Sequence, residues 1–490
     1  MINDAALYSA YASRDPRFDG IFYIGVTSTG IYCRPVCTAK TPRPGNCRFF
    51  DSAEAAEKAR FRPCLRCRPE LAPGNAPVDD AHRIAGMIVQ RIDEGMLDGG
   101  AGLEQIAAQF GWSSRQIRRI LQQELGVSPI ELVQTRRLLL AKQLLTETTL
   151  SITEVAFASG FASLRRFNDA FGRRYGMPPS RFRKAAEDTT AHSPSPATFT
   201  LQLSYRPPFD WNGILDFLRT RTLNGVERVD ELSYLRTVML GPHTGWVQLR
   251  HAPERRAILV ELPHSMTPVL PALLGRLRHM FDLSARPDVI SAQLMRDPQL
   301  RAAVGQNPGL RVPGAFDGFE LAMRAILGQQ ISVTAATALA GRLVEACGEP
   351  VETPHEGLTH LSPSPGRIAA ATVDEIAGLG IVQTRARSII ALAGAVASGR
   401  LRLDAGAAPD ETIEQLVAIP GVGPWTAHYI AMRALRWPDA FPKEDIVLRK
   451  NLGGVTPEDA EAMSQAWRPW RSYATLHLWA GCRPAPGSAG

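Results

Sequence analysis

The chain has 490 residues, 45% hydrophobic and 21% charged, with a net charge of +7; that length exceeds what one core supports and implies roughly three or four domains. Its longest weakly apolar run, Ser388 to Ser398, is broken by glycines and too short for a bilayer, and no basic-then-apolar leader opens the chain, so we expect a cytoplasmic protein rather than a membrane one. The charge is lopsided: residues 1–185 hold 26 of the 55 Lys/Arg and 18 of the 48 Asp/Glu, leaving 29 against 30 beyond them, so the first part should be steered toward polyanions.

Aromatic and β-branched residues from Phe18 to Tyr32 predict strands leading into a cysteine cluster, and the Pro/Gly-rich stretch Pro69 to Pro77 closes this module. Four of the seven cysteines crowd there as Cys33-x3-Cys37 and Cys64-x2-Cys67. Without a secretion leader, such clustering favours metal over disulfides, and four thiolates at short spacing suit one tetrahedral Zn²⁺. Cys47 lies between the pairs, but two turns that each present two thiolates close a tetrahedron with little loop strain. A module of about 75 residues needs the metal for its fold, and a purely structural zinc knot is the plainest reading of the spacing.

The flanking residues, GIYCRPVC (Gly30 to Cys37) and FRPCLRC (Phe61 to Cys67), resemble the N-terminal domain of Ada-type regulators over nearly all of residues 1–75. The resemblance implies that Cys33 takes the methyl group of a methyl phosphotriester and keeps it, while all four cysteines hold zinc. Metal coordination keeps sulfur deprotonated at neutral pH, and the thiolate is the nucleophile. Zn²⁺ with four thiolates carries a formal charge of about −2 and methylation of one sulfur makes it about −1, which eases repulsion from phosphate and makes methylation a switch for DNA affinity. Arg34, Arg66 and Arg68 are the candidate phosphate contacts.

Residues 80–183 read as helices in two similar units. In the first, Leu103, Ile106, Ala107 and Phe110 form a helix ended by Gly111, and the next helix turns Ile117, Ile120 and Leu121 inward, leaving Arg115, Arg118, Arg119 and Gln122 outward. In the second, Ile152, Val155 and Ala156 precede Gly160 and Phe161, then Phe167 and Phe171 face inward with Ser163, Arg165, Arg166 and Asn168 outward. One basic helix face is by default a solvated surface, but two helix-turn-helix units in tandem can enter successive major grooves. Leu103 to Phe182, with its GVSP (Gly126 to Pro129) and FASGF (Phe157 to Phe161) elements, is similar to AraC-type DNA-binding domains.

The polar segment from Ala185 to Thr198 reads as a linker, placed at 184–197. Thr198 to Leu262 then alternates in strand fashion, whereas Gly318 to the end is almost wholly helical, so an α/β lobe (198–285) precedes an all-helical lobe (286–490). In LVAIPGVGPWTA (Leu416 to Ala427), two glycines flank Val422 in a tight turn between helices, a helix-hairpin-helix signature. Backbone amides at Gly421, Gly423 and the helix start near Thr426 can point at a DNA phosphate without basic side chains, which suits a lobe of no net positive charge. Twenty residues past Trp425 lies Asp445, in DAFPKEDIVLRK (Asp439 to Lys450). Glu444 is its neighbour and rival, and an Asp before an apolar helix also reads as an N-cap.

That hairpin and aspartate, with RPPFDW (Arg206 to Trp211), FDL (Phe281 to Leu283), PGLRVPGAFDGFELAMRAILGQQIS (Pro308 to Ser332) and RPWRSYATLHLW (Arg468 to Trp479), resemble AlkA-type 3-methyladenine DNA glycosylases from about 198 to 485. The resemblance makes Asp445 the catalytic acid, a carboxylate that offsets positive charge developing on the deoxyribose and orients water. It makes Trp425, Tyr429 and Trp479 the aromatics that stack on an extruded, cationic alkylated base. Gln330 takes the place of the residue that wedges into the emptied duplex, where the best-known member carries leucine. Strand-cutting relatives place a lysine where this chain has Trp425, so simple hydrolysis to an abasic site is expected. Ada regulators often end in a methyltransferase domain with a Pro-Cys-His-Arg nucleophile; that motif is absent here, and Cys347 and Cys482 do not supply it.

Together these readings predict a multidomain α+β protein: a small zinc-bound α/β domain (1–75), an all-α double helix-turn-helix domain (80–183), an antiparallel α/β lobe and an all-α helix-hairpin-helix glycosylase core. The expected partners are double-stranded DNA, both alkylated lesions and promoter sites, and RNA polymerase; the expected state is a monomer in the bacterial cytoplasm, at the nucleoid. Two rival readings are a transcription regulator whose glycosylase half binds DNA without catalysis, and a glycosylase whose zinc domain is only a fold staple.

Overall fold

The structure is a computed structural model that describes residues 4–14, 19, 22–50, 53–69, 112–187, 197–404 and 406–480, with isolated positions between 85 and 107. Phe18, the stretch after Pro69, Ile106, Phe110, Gly111, most of the expected linker and Cys482 lie outside the described residues. The chain forms two compact units: Met1–Val89 with Glu104–Pro129, and Gln90–Leu103 with Ile130–Gly490. The division falls inside the segment 80–183, which the sequence reading had treated as one domain.

In the first unit, α1 (Asp4–Ala12) precedes β1 (Tyr23–Val26) and β2 (Ile31–Cys33), which form a hairpin closed by Gly30 at φ +66°. Then come β3 (Cys47–Phe50), α2 (Ala53–Lys58) and β4 (Arg62–Pro63). The sheet order is β3-β1-β2-β4, with β2 and β4 parallel and Tyr32 opposite Pro63. This register brings Cys33 and Cys64, the residues that follow, to the same end of the sheet. Phe22, Ile24, Val26 and Tyr11 bury against the cysteines as one small core. The same unit holds α3 (Ser114–Leu125), started by a Ser113/Gln116 capping box and ended by Gly126 at φ +71°. Its burial matches the sequence pattern: Ile117 and Leu121 inside, Ile120 half-buried, Arg115, Arg118, Arg119 and Gln122 exposed.

The second unit opens with α4 (Pro129–Glu147), α5 (Ile152–Ala158), α6 (Leu164–Tyr175) and α7 (Pro179–Glu187). On α6, Phe167 and Phe171 are buried while Arg165, Arg166 and Asn168 are exposed; Ser163 is its N-cap, accepting from the Arg166 amide. The helix α7 runs through Glu187, so the first residues of the expected 184–197 linker are helical. A five-stranded, wholly antiparallel sheet follows in the order β5-β9-β8-β7-β6, built from β5 (Thr198–Ser204), β6 (Glu227–Val229), β7 (Ser233–Leu240), β8 (His243–Ala252) and β9 (Ala257–Pro263). The helix α8 (Trp211–Arg219) and α9 (Leu270–Met280) bury their apolar faces in the sheet's core, and the central strands β7 and β8 are buried at consecutive positions, on both faces, while the edge strand β5 alternates.

The helical lobe contributes a second core around α10 (Gly318–Leu327), α11 (Val333–Cys347), α12 (Gln383–Ala397), α13 (Pro409–Val417) and α14 (Pro424–Arg433). The short α15 (Ile446–Asn451) and α16 (Arg471–Ala480) pack instead into the core shared with the sheet, through Leu448, Tyr473, Ala474 and Leu476. Either a side-chain cap (Asp317, Ser332, Asp445) or an N-terminal proline (Pro409, Pro424) starts most of these helices, so their ends are set locally and their packing by the apolar stripes. No helix among the described residues is long and apolar enough to cross a membrane.

Candidate functional site

The hairpin between α13 and α14 is built around one glycine that must be glycine. Gly421 sits at φ +85°, and a Cβ there would lie 2.4 Å from Ser388 Oγ. Ser388 in turn donates to the Pro420 carbonyl at 2.6 Å, pinning the turn against α12. Gly423, the N-cap of α14, has φ −90° and open space around it, so its backbone amide is left uncovered by a side chain of its own and open to an approaching acceptor. Thr426 does not face outward: it is 2% exposed, and its Oγ1 accepts from Gln329 Nε2 at 3.0 Å. Its side chain is an internal brace, because the third position of α14 points back into the helical core, which leaves any DNA contact at this position to the backbone amide.

Gln329 also donates to the Gly421 carbonyl at 2.9 Å, and Arg385 donates to the Gln329 carbonyl. These bonds tie the loop after α10 to the hairpin. At its tip, Gln330 is exposed and holds φ +56°, a left-handed conformation that costs a non-glycine residue about 1 kcal/mol or more. An exposed side chain on a strained, braced tip beside the hairpin is the geometry a wedge needs. Neither Gln329 nor Arg385 was singled out from the sequence; a Gln-Gln pair after an apolar helix carries no local signal of which side chain turns inward.

Asp445 caps α15, its Oδ1 accepting from the Leu448 amide at 2.7 Å. The cap reading is therefore right, and the cap holds the carboxyl group at the cleft wall. Two indoles complete its shell: Trp425 Nε1 donates to Oδ2 at 2.8 Å and Trp479 Nε1 to Oδ1 at 3.1 Å. Three donors leave both oxygens acting as acceptors and fix the carboxyl group in one orientation at the wall of a cleft of about 2080 Å³. Glu444 lines the same cleft, but its Oε2 is buried with no hydrogen-bond partner among the described residues.

Trp425, Tyr429 and Trp479 meet as expected, with a difference in role. Trp425 and Tyr429, one helical turn apart, stack on each other with centroids 5.3 Å apart and planes 9° apart; Tyr429 and Trp479 lie 6.4 Å apart at 42°. They form a continuous aromatic wall, and the two tryptophans aim the aspartate as well. Behind the wall, Arg433 donates to the Tyr429 hydroxyl at 2.7 Å. Burial alone would raise the Tyr429 phenol, but Arg433, Arg221 and Arg324 outweigh it and bring the group below the usual tyrosine range. Arg324 is held by Glu227 at 3.1 Å and Glu320 at 3.3 Å, and Arg236 by Glu320 at 2.9 Å. This buried charge network links the sheet to α10 and was invisible in the sequence, since its members come from segments up to about a hundred residues apart.

In the first unit, the sulfurs of Cys33, Cys37, Cys64 and Cys67 lie within 4.8 Å of one another, and all four residues are buried. Cys47 stands apart on β3, its Sγ 3.6 Å from the Arg43 carbonyl. Proton sharing with Cys37 and Cys67, then burial, pushes the Cys33 thiol far up. Only a cation can keep four such crowded sulfurs as thiolates, so the donor set fits one Zn²⁺. Arg34 is 1% exposed, donates to Asp19 Oδ1 at 2.8 Å and to the Cys67 carbonyl at 3.3 Å. It is a strut of the metal loop and not the exposed phosphate contact expected of it; Arg66 and Arg68 are exposed.

Family models match in four consecutive segments: the metal binding domain of Ada at residues 6–70, a helix-turn-helix domain at 106–185, the AlkA N-terminal domain at 200–317, and the HhH-GPD superfamily base excision DNA repair protein at 323–471. The chain is 40% identical over 477 residues to a probable bifunctional transcriptional activator/DNA repair enzyme AlkA of Mycobacterium tuberculosis, covering 96% of this chain and 95% of the relative. The chain belongs to that AlkA family. Its C-terminal part is also 35% identical over 277 residues to the DNA-3-methyladenine glycosylase 2 of Escherichia coli, which spans 56% of this chain and 95% of that protein. A 3-methyladenine DNA-glycosylase from Archaeoglobus fulgidus shares the fold of 57% of the chain at a TM-score of 0.50 and 21% identity, covering 96% of that structure. The protein is thus a DNA glycosylase joined to an Ada-type zinc domain and a helix-turn-helix regulator.

Proposed function

We propose that the C-terminal lobe hydrolyses alkylated purines, of the 3-methyladenine and 7-methylguanine kind, from DNA, leaving an abasic site. The observation that carries this reading is Asp445 fixed by the Trp425 and Trp479 indoles in the wall of an aromatic cleft that the Gly421–Gly423 hairpin also lines. The hairpin amides grip a phosphate, Gln330 fills the gap left by the extruded nucleotide, and the base stacks on the wall formed by Trp425 and Tyr429. The glycosidic bond breaks with its electron pair leaving on the base, and positive charge grows on the sugar opposite the Asp445 carboxylate. Water then adds to C1′ and gives up a proton, for which Asp445 is the acceptor. No amine stands at Trp425, so strand cleavage through a Schiff base is not expected.

In the first unit, the thiolate of Cys33 attacks the methyl carbon of a methyl phosphotriester; an S–C bond forms, the C–O bond breaks, and the phosphodiester anion leaves. When bound, zinc supplies the deprotonated sulfurs for this transfer. The lower charge at the methylated centre strengthens promoter binding by the helix-turn-helix units, and as an activator the protein engages RNA polymerase. Cys33 is 4% exposed, so transfer requires the phosphate to reach in at the end of β2.

Purified protein should release 3-methyladenine from alkylated DNA. Asp445→Asn, which keeps the shape and the cap, should bind such DNA and release at least about 100-fold less; equal release would remove Asp445 from the chemistry. Mass spectrometry after incubation with methylated DNA should find one methyl group on Cys33.

A further inference from the structure

The second helix-turn-helix unit is not a neighbour on a tether. Its α4 presents Gln143 and Glu147, one helical turn apart, to the edge of the glycosylase sheet. Gln143 Nε2 donates to the Gln202 carbonyl at 2.7 Å, the Gln202 amide donates to Glu147 Oε2 at 2.8 Å, and Gln143 and Glu147 are bonded to each other at 2.9 Å. Among the described residues the strand β5 is an edge, paired with β9 alone, and its outward N–H and C=O groups are the ones a sheet must cover or hide. One carboxamide and one carboxylate at i and i+4 satisfy both groups of Gln202 as a further strand would.

Apolar packing accompanies the clasp. Leu138, Leu145, Val155 and Phe171 of the helix-turn-helix unit belong to one continuous buried cluster with Leu201 and Leu203 of β5. The helix α5 packs on the turn His264–Val269, and Phe199 meets His264 edge to face at 5.2 Å. The clasp and the His264–Val269 contact use α4 and α5, and α6 joins the shared cluster only through the inner face that carries Phe167 and Phe171. The outer face of α6 stays free, with Arg165, Arg166 and Asn168 exposed.

We infer that Gln143 and Glu147 fasten the second helix-turn-helix unit to the glycosylase sheet as a built-in accessory, so that α6 is a second DNA contact of the excision lobe during base release. The inference rests on the glycosylase reading above. It splits the regulator: the first recognition helix, α3, belongs to the unit of the zinc centre, and the second travels with the enzyme. A lobe of no net positive charge thereby gains a basic helix without adding charge around its own cleft, and two contacts on one body raise affinity through effective concentration.

Two variants of the full chain test it. Gln143→Ala/Glu147→Ala, changed at half-buried side chains outside the core, should speed hydrogen exchange of the Gln202 amide at least tenfold. It should also raise KM for alkylated duplex about fivefold or more, with kcat kept. Arg165→Ala/Arg166→Ala should flatten the plot of log kcat/KM for base release against log salt by about 1.8, the slope carried by two phosphate contacts. Unchanged exchange at Gln202 would remove the clasp. Normal KM in the first variant, or an unaltered salt slope in the second, would leave the helix-turn-helix unit out of excision. Either failure is distinct from failure of the glycosylase reading, in which the unmodified protein releases no base.

Discussion

Asp445 shows how a single residue serves two demands at once. Its Oδ1 caps α15 and also accepts from Trp479, while Oδ2 accepts from Trp425. Replacing an indole by a phenyl ring keeps the aromatic wall and removes one donor to a carboxylate. A hydrogen bond to a charged group is worth about 1.5–3 kcal/mol, so Trp479→Phe should lower kcat for base release by about 10- to 100-fold with KM little changed. Single-turnover release measured alongside duplex affinity separates the two effects. If Trp479 only stacked on the base, affinity would fall and kcat would not. At this scale the sequence was informative about Asp445, Trp425, Tyr429 and Trp479, because each sits in a motif with fixed spacing. It misled at Arg34, since burial decides whether an arginine can meet DNA, and burial depends on segments elsewhere in the chain.

At the scale of elements, the hairpin and the Gln330 loop act as one piece, joined by Gln329 to Gly421 and Thr426. Gly421→Ala adds a left-handed alanine, at about 1–2 kcal/mol, and a Cβ 2.4 Å from Ser388 Oγ. The variant should lose thermal stability and, on the proposal that the hairpin amides grip a phosphate, show excision reduced beyond that loss because the turn must shift; a variant with full activity would detach the turn from binding. The helix α9 carries a second sensitive point. His279 Nε2 donates to the Arg433 carbonyl at 3.1 Å, and burial holds the imidazole neutral down to a pKa of about 3.

At the scale of the whole molecule, that neutral histidine sets part of the acid limit. His477 behaves alike, lowered by burial to about 4. The unfolded chain protonates both near pH 6.5, the folded chain only near 3 and 4, so the unfolded state binds more protons throughout the interval between. Stability is complete above 6.5 and declines as the pH falls below it. His279→Gln, which can keep the bond to Arg433, should make urea midpoints less dependent on pH between 7 and 5; an identical dependence would clear His279. The two compact units should also respond separately to metal removal. Chelation of zinc should unfold the small cysteine core, which has little else to hold it, while base release by the other unit persists. Loss of both together, followed by circular dichroism and release assays, would show the units to be one cooperative body.

Local signals in the chain determined the cysteine quartet, the recognition helices, the hairpin and the aspartate, because each depends on contacts within a few residues: short Cys spacing, capping boxes, apolar stripes, a glycine forced to positive φ. Long-range packing decided the rest. Which cations were buried, that two tryptophans aim the carboxylate, and that the tandem helix-turn-helix segment divides between two bodies all follow from surfaces far apart in sequence. The Gln143/Glu147 clasp on Gln202 is the clearest case: 55 to 59 residues separate the partners, and nothing in a polar helix face announces that it will complete the edge of a sheet.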